Sequence, residues 1–310
     1  MEKIAFFTEG GYDGKVARTH PNMRTDLAWI CSLQAEHVPI HGNSNTQYDL
    51  GIFIIPKKYP DRFMDHMVEV SKRCKTTAVM QEGSNWIWQD WYINTQVKYL
   101  GVLRSVDYIF CHNERDRKYY NGLTGRDDAK VLRTLMIEDA IDLKSLTPTD
   151  ERSGTMIGGN FVSWYGGFDS YMIATLFDND VYAPSMGRKQ DGEESMGGIT
   201  YLPYMNWRNW ITELSKRKYA VHLMRTHAAG TFALNCAYLG IPCIGWKGLD
   251  TQEICFPKLS FEIGDMEAAS KMAKHLATND QFYDHVVAVA KDRYQNEYSE
   301  KTFINRFGEF

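Results

Sequence analysis

Long apolar runs are missing from this sequence of 310 residues, in which nothing near 18 consecutive apolar positions occurs. We therefore expect no membrane-spanning helix. The first apolar run, within Met1–Thr8, is too short for a secretion signal and no small-residue cleavage site follows it, so we also expect no cleaved leader. The six cysteines show neither a CxxC pair nor the Cys/His spacing of a metal site. Most lie in apolar runs, which is typical of reduced core thiols in a cytoplasmic protein.

A dense basic run is also missing, and the net charge is −4 with a pI of about 6.2. Residues 1–137 carry 18 Lys and Arg against 16 Asp and Glu, or +2, and the remainder carries 17 against 23, or −6. A mildly basic first half permits a polyanionic acceptor without requiring one, and an evenly solvated surface is the commoner explanation. No internal repeat or low-complexity segment is visible.

What the sequence does have is an alternation of strand and helix signals, which predicts mainly parallel, doubly wound sheets. The length suits two α/β domains. We predict a first domain over 1–137, a linker over 138–154, a second domain over 155–296 and a last helix over 297–310. The predicted strands of the first half are Lys3–Thr8, His37–Ile40, Leu50–Ile55, Thr76–Met80, Asp107–Cys111 and Val131–Met136. A helix is predicted over Asn22–Leu33.

The most informative stretch runs from Tyr219 to Ile244 and reads as strand, loop, helix and strand. Gly230 and Thr231 open the helix and Gly240 ends it. Unpaired N–H groups at such a helix start attract an anion, and glycine lets a phosphate approach the backbone. The alternative is an ordinary crossover with no ligand.

A helix that opens with Gly and ends Ala-x-x-Gly-x-Pro-x-Ile resembles the nucleotide-sugar domain of GT-B glycosyltransferases, especially the retaining kind. The resemblance implies an α/β chain of two Rossmann-like doubly wound domains that face each other across a cleft, with a last helix that crosses back to the first domain. The family places two glutamates eight residues apart around this helix. Here those positions hold His227 and Asn235, of which Asn235 can still hydrogen-bond a ribose hydroxyl.

Three short segments also resemble the DNA α-glucosyltransferases of T-even phages. They are 106–112, 240–247 and 264–267. This similarity implies transfer of a sugar from a nucleotide-diphosphate sugar, UDP-sugar as first choice, to the 5-hydroxymethyl group of a modified pyrimidine in DNA. Transfer to a surface glycan or a small molecule, and a noncatalytic nucleotide- or glycan-binding relative, stay open.

Retaining relatives carry an Arg and a Lys in the first loop of the donor domain, but the loop over 158–167 has no cation. Arg225 is our first choice for the charge that stabilises the leaving phosphate, and Arg188 or Lys189 the second. GT-B enzymes commonly stabilise the leaving phosphate without a metal, so the resemblance implies neither a metal nor another cofactor. The predicted donor-binding residues are Gly10, Gly11, Gly159, Asn160, Arg188, Lys189, His227, Gly230, Thr231 and Asn235.

In the first half, Glu82 ends a predicted strand where relatives place a His-Asp pair beside the sugar. We predict that Glu82 and Arg225 are catalytic, although a capping or salt-bridged carboxylate explains Glu82 equally well. Aromatic rings can stack on a base or sugar, and cations can contact phosphates, although tryptophans this close also serve to cover a core. The predicted acceptor-binding residues are Trp86, Trp88, Lys57, Lys58, Arg115 and His112.

Overall fold

The computed structural model describes residues 2–42, 45–177, 179–185 and 190–310. The chain forms two compact units. Unit 1 contains Met1–His20, Arg24–Thr134 and Ile304–Phe310, and unit 2 contains Pro21–Met23 and Leu135–Phe303. Both units are layered α/β structures around a mainly parallel sheet.

Unit 1 is built on a sheet whose spatial order is β2-β3-β1-β4-β5-β6-β7. Its strands are β1 Ile4–Thr8, β2 Gly14–Lys15, β3 Glu36–Pro39, β4 Tyr48–Ile55, β5 Cys74–Gln81, β6 Tyr108–Cys111 and β7 Lys130–Val131. Its helices are α1 Asp26–Ser32, α2 Pro60–Val70, α3 Ile93–Ser105 and α4 Glu114–Thr124. Every pairing in this sheet is parallel except that of β2 with β3.

Local sequence explains the central elements of unit 1. The strand β4 is mostly apolar and lies between β1 and β5, as expected for a parallel strand covered on both faces. Pro60 occupies the first turn of α2, where a missing N–H costs nothing. The side chains of Phe63, Met64 and Met67 follow at helical spacing and are buried in the core.

Unit 2 has a fully parallel sheet in the order β10-β9-β8-β11-β12-β13. Its strands are β8 Thr155–Ile157, β9 Val181–Ala183, β10 Ile199–Tyr201, β11 Tyr219–His222, β12 Cys243–Trp246 and β13 Ser260–Phe261. The remaining helices are α5 Gly167–Ala174, α6 Trp207–Ser215, α7 Thr231–Leu239, α8 Asp250–Cys255, α9 Met266–Thr278, α10 Asp280–Glu297 and α11 Glu300–Phe307.

The predicted α/β class with two doubly wound sheets is confirmed. Two predicted elements are too long. The helix predicted over Asn22–Leu33 begins only at Asp26, because Asn22 belongs to unit 2, where its side-chain oxygen accepts a hydrogen bond from the N–H of Trp207 at 3.1 Å. The strand predicted over Val131–Met136 ends at Val131. In the described part of the chain, no helix is long and apolar enough to cross a membrane.

The end of the chain returns to unit 1. Phe307 and Phe310 pack against Phe110 of β6, with ring centroids 6.3 and 5.5 Å away. Lys130 donates a hydrogen bond to the carbonyl of Phe310 at 3.3 Å. The predicted domain and linker boundaries, and the predicted cleft between the domains, stay predictions.

Candidate functional site

The second sheet has its topological switch point between β8 and β11. From β8 the chain moves to β9 and β10 on one side, and it returns to β11 on the other. In open α/β sheets a ligand binds just outside the carboxyl ends of the strands at such a point. The loops that leave these two strands are 158–166 and 223–230, and both contain predicted donor-binding residues.

No side chain of the described residues caps the start of α7. Gly230 precedes this helix with a φ of 70°, and a Cβ atom there would collide with Oγ1 of Thr251. The Thr251 hydroxyl donates a hydrogen bond to the carbonyl of Gly230 at 2.9 Å. The helices α4, α6, α9 and α10 each begin at an Asn or Asp whose side chain accepts a backbone N–H, whereas α1, α2, α3, α5 and α8 resemble α7 in having no side-chain cap. The first N–H groups of α7 therefore remain for a ligand, and the helix dipole favours an anion.

The loop between β8 and α5 lies tightly against β11. A Cβ atom on Gly158 would collide with the ring of His222, and one on Gly166, whose φ is 62°, would collide with the carbonyl of Leu223. Glycine at both positions therefore allows the loop to approach the strand. The close approach brings this loop next to the start of the loop that leads to α7.

Gly159 and Asn160, both predicted to bind the donor, lie in this loop. A Cβ atom on Gly159 would come within 3.0 Å of Cβ of Tyr165. Asn160 is buried, and its side-chain oxygen accepts a hydrogen bond from the N–H of Val162 at 3.3 Å. Asn160 therefore shapes the loop, and its predicted contact with the donor stays a prediction.

His222 is a buried polar residue at this edge that the sequence pattern does not reveal. Its ring lies edge-on to Phe232 with centroids 4.9 Å apart, and its Nε2 atom has no hydrogen-bond partner among the described residues. Burial lowers the pKa of His222 to about 4, so the imidazole is neutral at neutral pH. The residue stands inside an apolar strand, where periodicity indicates only core.

Arg225, the predicted phosphate-stabilising residue, lies in the loop before α7. Its guanidinium forms a salt bridge with Asp169 of α5 at 2.9 Å, and its backbone N–H donates to the carbonyl of Trp164 at 3.2 Å. The side chain is 56% exposed, so it is accessible to a ligand at the strand edge. Asp169 could not be predicted as its partner, because 56 residues separate the two in the sequence.

His227 and Asn235 occupy the positions at which the resembled family has glutamates. His227 is buried, its Nε2 lies 3.1 Å from the carbonyl of Lys247, and a Cβ atom on Gly248 would collide with its ring. Asn235 is buried in the middle of α7, and Thr231 is the first residue of that helix. Two further predicted donor contacts, Arg188 and Lys189, lie outside the described residues.

The first sheet has its own switch point, between β1 and β4. Gly10 and Gly11 follow β1 with φ values of 155° and 109°, and a Cβ atom on either would meet nothing within 4 Å. The space beside this backbone is therefore open, as the predicted approach of a ligand requires.

Glu82 follows β5 at the same edge. It forms a salt bridge with Lys57 at 3.3 Å, and its side chain is 48% exposed. Lys58 is exposed beside this pair, and Arg115 is exposed in the first turn of α4. Both interpretations of Glu82, as a salt-bridged carboxylate and as a group that a ligand can reach, fit this geometry.

His112 follows β6 and is buried, with its ring stacked on Trp29 at 5.8 Å. Its Nε2 lies 3.1 Å from the carbonyl of Gln81. Burial lowers its pKa to about 4, and the charge of Lys57 acts in the same direction. The neutral, enclosed ring speaks against the predicted contact of His112 with an acceptor.

Trp86 and Trp88 both lie in the short 3-10 turn Asn85–Asp90, but they face different surroundings. Trp86 is 36% exposed, whereas Trp88 is 9% exposed and belongs to the core of unit 1, beside Tyr99. The predicted stacking of Trp88 on an acceptor conflicts with this position, because its faces are covered by the core. Trp86 remains as the accessible ring of the two.

Sequence reasoning also missed Asp26 and His37 of unit 1. His37 of β3 is buried, with Nε2 lying 3.2 Å from Oγ1 of Thr8 and Nδ1 in contact with the carbonyl of Tyr12. Burial raises the pKa of the Asp26 carboxyl, and the nearby His37 opposes this rise. No sequence motif marked either residue. No cluster of three or more metal-binding side chains occurs in the described ranges.

No protein-family model and no curated protein matches the sequence. Solved structures do resemble it. Sucrose-phosphate synthase from Thermosynechococcus elongatus has a TM-score of 0.68 at 10% identity, with 100% of this chain and 98% of that chain covered. HepE from Anabaena, in complex with UDP and glucose, has a TM-score of 0.68 at 10% identity, with coverage of 100% and 99%. TarM has a TM-score of 0.63 at 11% identity, with coverage of 84% and 54%.

The chain has a GT-B fold. Two parallel-sheet Rossmann-like domains are the defining feature of this fold, and both sheets described above match it. The similarity extends over 98% and 99% of the first two neighbours' own chains. At identities near 10%, the structural similarity shows the fold alone.

Proposed function

We propose that this GT-B chain is a glycosyltransferase that transfers a sugar from a nucleotide-diphosphate sugar, with UDP as the expected nucleotide, to a hydroxyl group. The observation that carries the proposal is the uncapped start of α7 at the switch point between β8 and β11. A diphosphate is an anion that such a helix start can bind, because several N–H groups and the helix dipole act on it together.

In this proposal, the diphosphate lies against Gly230 and Thr231. Arg225 supplies the positive charge that is missing from the loop over 158–167. The acceptor oxygen forms a bond to the anomeric carbon while the bond from that carbon to the phosphate oxygen breaks, and the proton of the acceptor hydroxyl passes to the departing phosphate oxygen. The electron pair of the broken bond leaves with the diphosphate. Helix N–H groups and a guanidinium already in place stabilise that developing charge without reorganisation. We expect no metal or other cofactor to be needed.

The choice of UDP is supported by the structural neighbours. HepE has been solved with UDP-glucose, and the chain is similar to that structure over 100% of its length with a TM-score of 0.68. The buried amide of Asn235 and the ring of His227 would then replace the two family glutamates near the ribose and sugar. Neither residue carries the negative charge of a carboxylate, which favours a weaker hold on these hydroxyls.

For the acceptor, we propose the 5-hydroxymethyl group of a modified pyrimidine in DNA of the T-even phage type. Trp86 is exposed enough to stack on a base turned out of the duplex, and Lys58 and Arg115 are exposed cations that can contact backbone phosphates. This acceptor also agrees with the short sequence similarities to the phage DNA α-glucosyltransferases. Such an enzyme would act in the cytoplasm of the host cell.

A glycan or small-molecule acceptor is the second candidate. It is favoured by the neighbour TarM from S. aureus, whose structure contains α-GlcNAc-glycerol and UDP. The acidic pI of about 6.2 also suits an uncharged acceptor better than DNA. A noncatalytic nucleotide- or glycan-binding protein is the third candidate, motivated by the replaced glutamates.

One transfer assay separates these candidates. The purified chain is incubated with radiolabelled UDP-glucose, UDP-N-acetylglucosamine or UDP-galactose and with a mixture of a hydroxymethylcytosine duplex and neutral oligosaccharides. Label on the duplex supports the proposed acceptor, and label on oligosaccharide alone supports the second candidate. UDP binding by calorimetry without any transfer supports the third, and neither binding nor transfer contradicts the proposed function. A duplex with unmodified cytosine is the matched control.

A further inference from the structure

Tyr59 stands at the start of α2 in a backbone conformation that tyrosine rarely adopts. Its φ is 53° and its ψ is 41°, in the left-handed region that bulky side chains disfavour. The side chain is 80% exposed, so burial of the ring does not offset the strain. Strained residues of this kind are concentrated at functional sites, and neither packing nor backbone preference explains a tyrosine here.

The segment around Tyr59 lies against the loop that follows β5. The Nζ atom of Lys57 lies 3.3 Å from the carboxylate of Glu82, and the carbonyl of Lys57 accepts a hydrogen bond from the indole N–H of Trp91 at 3.2 Å. A Cβ atom on Gly83 would come within 2.7 Å of the Lys57 side chain. Because β4 and β5 are parallel neighbours, both segments leave the sheet at its carboxyl edge, where the acceptor is proposed to bind.

A second exposed tyrosine lies beside this contact. Tyr92 directly follows Trp91, precedes α3 and is 88% exposed. The starts of α2 and α3 are also joined by side chains, because the hydroxyl of Thr95 donates a hydrogen bond to the carboxylate of Asp61. Tyr59 and Tyr92 therefore stand at the starts of two joined helices, and both side chains are exposed to solvent.

Positive charge lies on either side of Tyr59 in the chain. Lys58 and Arg62 are exposed, and neither forms a salt bridge within the part of the chain that the structure describes. The acid between them, Asp61, is paired with Lys98. An aromatic ring between two uncompensated cations fits the bases and phosphates of a nucleic acid strand. A neutral glycan could use the ring, but it would leave both cations without a partner.

We propose that the acceptor DNA strand binds to a surface formed by Lys58, Tyr59, Arg62 and Tyr92, which we call the Tyr59 surface. The two rings stack on bases and the two cations contact phosphates. The inference rests on the proposed function and extends the acceptor contacts beyond Trp86. Stacking needs unpaired bases, as in a strand from which a base has been turned out. Every base has a face to stack on, so this surface holds the strand without selecting a sequence.

The rings are tested by DNA binding in the absence of a donor. Fluorescence anisotropy measures the affinity for a labelled single strand that contains hydroxymethylcytosine. Tyr59→Ala should weaken binding about 10-fold, whereas Tyr59→Phe, which keeps the ring, should bind as wild type. The matched control is Tyr204→Ala, which removes an exposed ring of unit 2 and should leave the affinity unchanged.

The stability of one further variant separates a binding role from a structural one. Tyr59→Gly removes the ring and suits a φ of 53°. Its free energy of unfolding, measured by chemical denaturation, should therefore not fall below that of wild type, although its DNA affinity falls as in Tyr59→Ala. A loss of stability together with the loss of affinity would show that Tyr59 supports the fold, and it would overturn the inference.

The cations are tested by the salt dependence of binding. The slope of the logarithm of the affinity against the logarithm of the salt concentration becomes shallower by about 0.7 for each phosphate contact that a single strand loses. The double variant Lys58→Ala/Arg62→Ala should therefore bind more weakly, with a slope shallower by about 1.4. The control Lys274→Ala/Arg293→Ala, which removes an exposed lysine and an exposed arginine of unit 2, should keep both values.

Wild-type DNA affinity in Tyr59→Ala and in the double variant overturns the inference, and sugar transfer to DNA by the wild type would still leave the proposed function standing. An equal loss in the control variants also overturns it, because binding then reflects overall charge. If the wild type binds no DNA, the inference and the proposed DNA acceptor both fail. Label on oligosaccharide in the transfer assay would then leave sugar transfer itself in place.

Discussion

The hydroxyl of Thr251 occupies the space that a Cβ atom at position 230 would need, and it donates a hydrogen bond to the carbonyl of Gly230 at 2.9 Å. A residue of α8 thereby holds the backbone turn that opens α7. The start of α7 can present its N–H groups to a diphosphate only while this turn is kept.

Gly230→Ala should therefore damage both stability and donor binding. A φ of 70° and the collision with Thr251 both oppose the added methyl group, so we expect a loss of about 1–3 kcal/mol in the free energy of unfolding. UDP affinity, measured by calorimetry, should fall about 10-fold or more. Gly101→Ala in α3 is the matched control, since its Cβ meets nothing within 4 Å, and it should stabilise by about 0.5–1 kcal/mol. Wild-type UDP affinity in Gly230→Ala would contradict the proposed anion site.

Arg225→Ala should reduce turnover by roughly 10²-fold or more if the guanidinium stabilises the departing phosphate. Asp169→Asn should have a smaller effect, because it leaves Arg225 in place and removes the negative charge 2.9 Å away. Steady-state kinetics of sugar transfer checks both. Lys271→Ala, which removes an exposed cation paired with Glu267 on α9, is the control and should leave turnover unchanged. An unchanged rate in Arg225→Ala removes this residue from the site.

The two tryptophans of one turn should respond to substitution in different ways. Trp88→Ala opens a cavity in the core of unit 1 and should cost about 3–5 kcal/mol in unfolding free energy, as chemical denaturation can measure. Trp86→Ala should leave stability within about 1 kcal/mol and raise the acceptor KM instead. A stable Trp86→Ala variant with wild-type acceptor KM would exclude stacking by this ring.

Buried neutral histidines should make the protein less stable in mild acid. The pKa values of His112 and His222 are lowered to about 4, below the usual 6.5, so the unfolded state binds more protons between these values. The free energy of unfolding therefore falls as the pH falls from 6.5 towards 4, by about 3 kcal/mol for each histidine. His222→Gln and His112→Gln should each remove their own share of this slope, as denaturation at a series of pH values can show. An unchanged slope in both variants would contradict the prediction.

Part of the fold and of the site can be predicted because it depends on the order of residues within short segments of the sequence. The apolar run of β4 and the Gly-bounded helix α7 are recognised by periodicity and by start and stop residues, since these depend on neighbours in the sequence. The helix start at Asp26 was predicted four residues early, because the role of Asn22 at Trp207 depends on a contact 185 residues away.

Burial decided which of the candidate residues can meet a ligand. Trp86 and Trp88 are two positions apart and chemically alike, yet only packing determines that one ring is covered. Packing likewise determines that His112 is enclosed beside Trp29. The tertiary structure also determines that the charge of Lys57 is offset by Glu82. Exposure is a property of the whole unit, and a sequence window does not contain it.

By itself, the sequence determined that the chain alternates strands and helices, that a glycine directly precedes α7, and that Arg225 stands a few residues before that helix. Only the tertiary structure decided that β8 and β11 are neighbours at a switch point and that Asp169 pairs with Arg225. The reason is that elements form from short-range preferences, whereas pairings between elements follow from the order of strands in a sheet, which brings together residues that are distant in the chain.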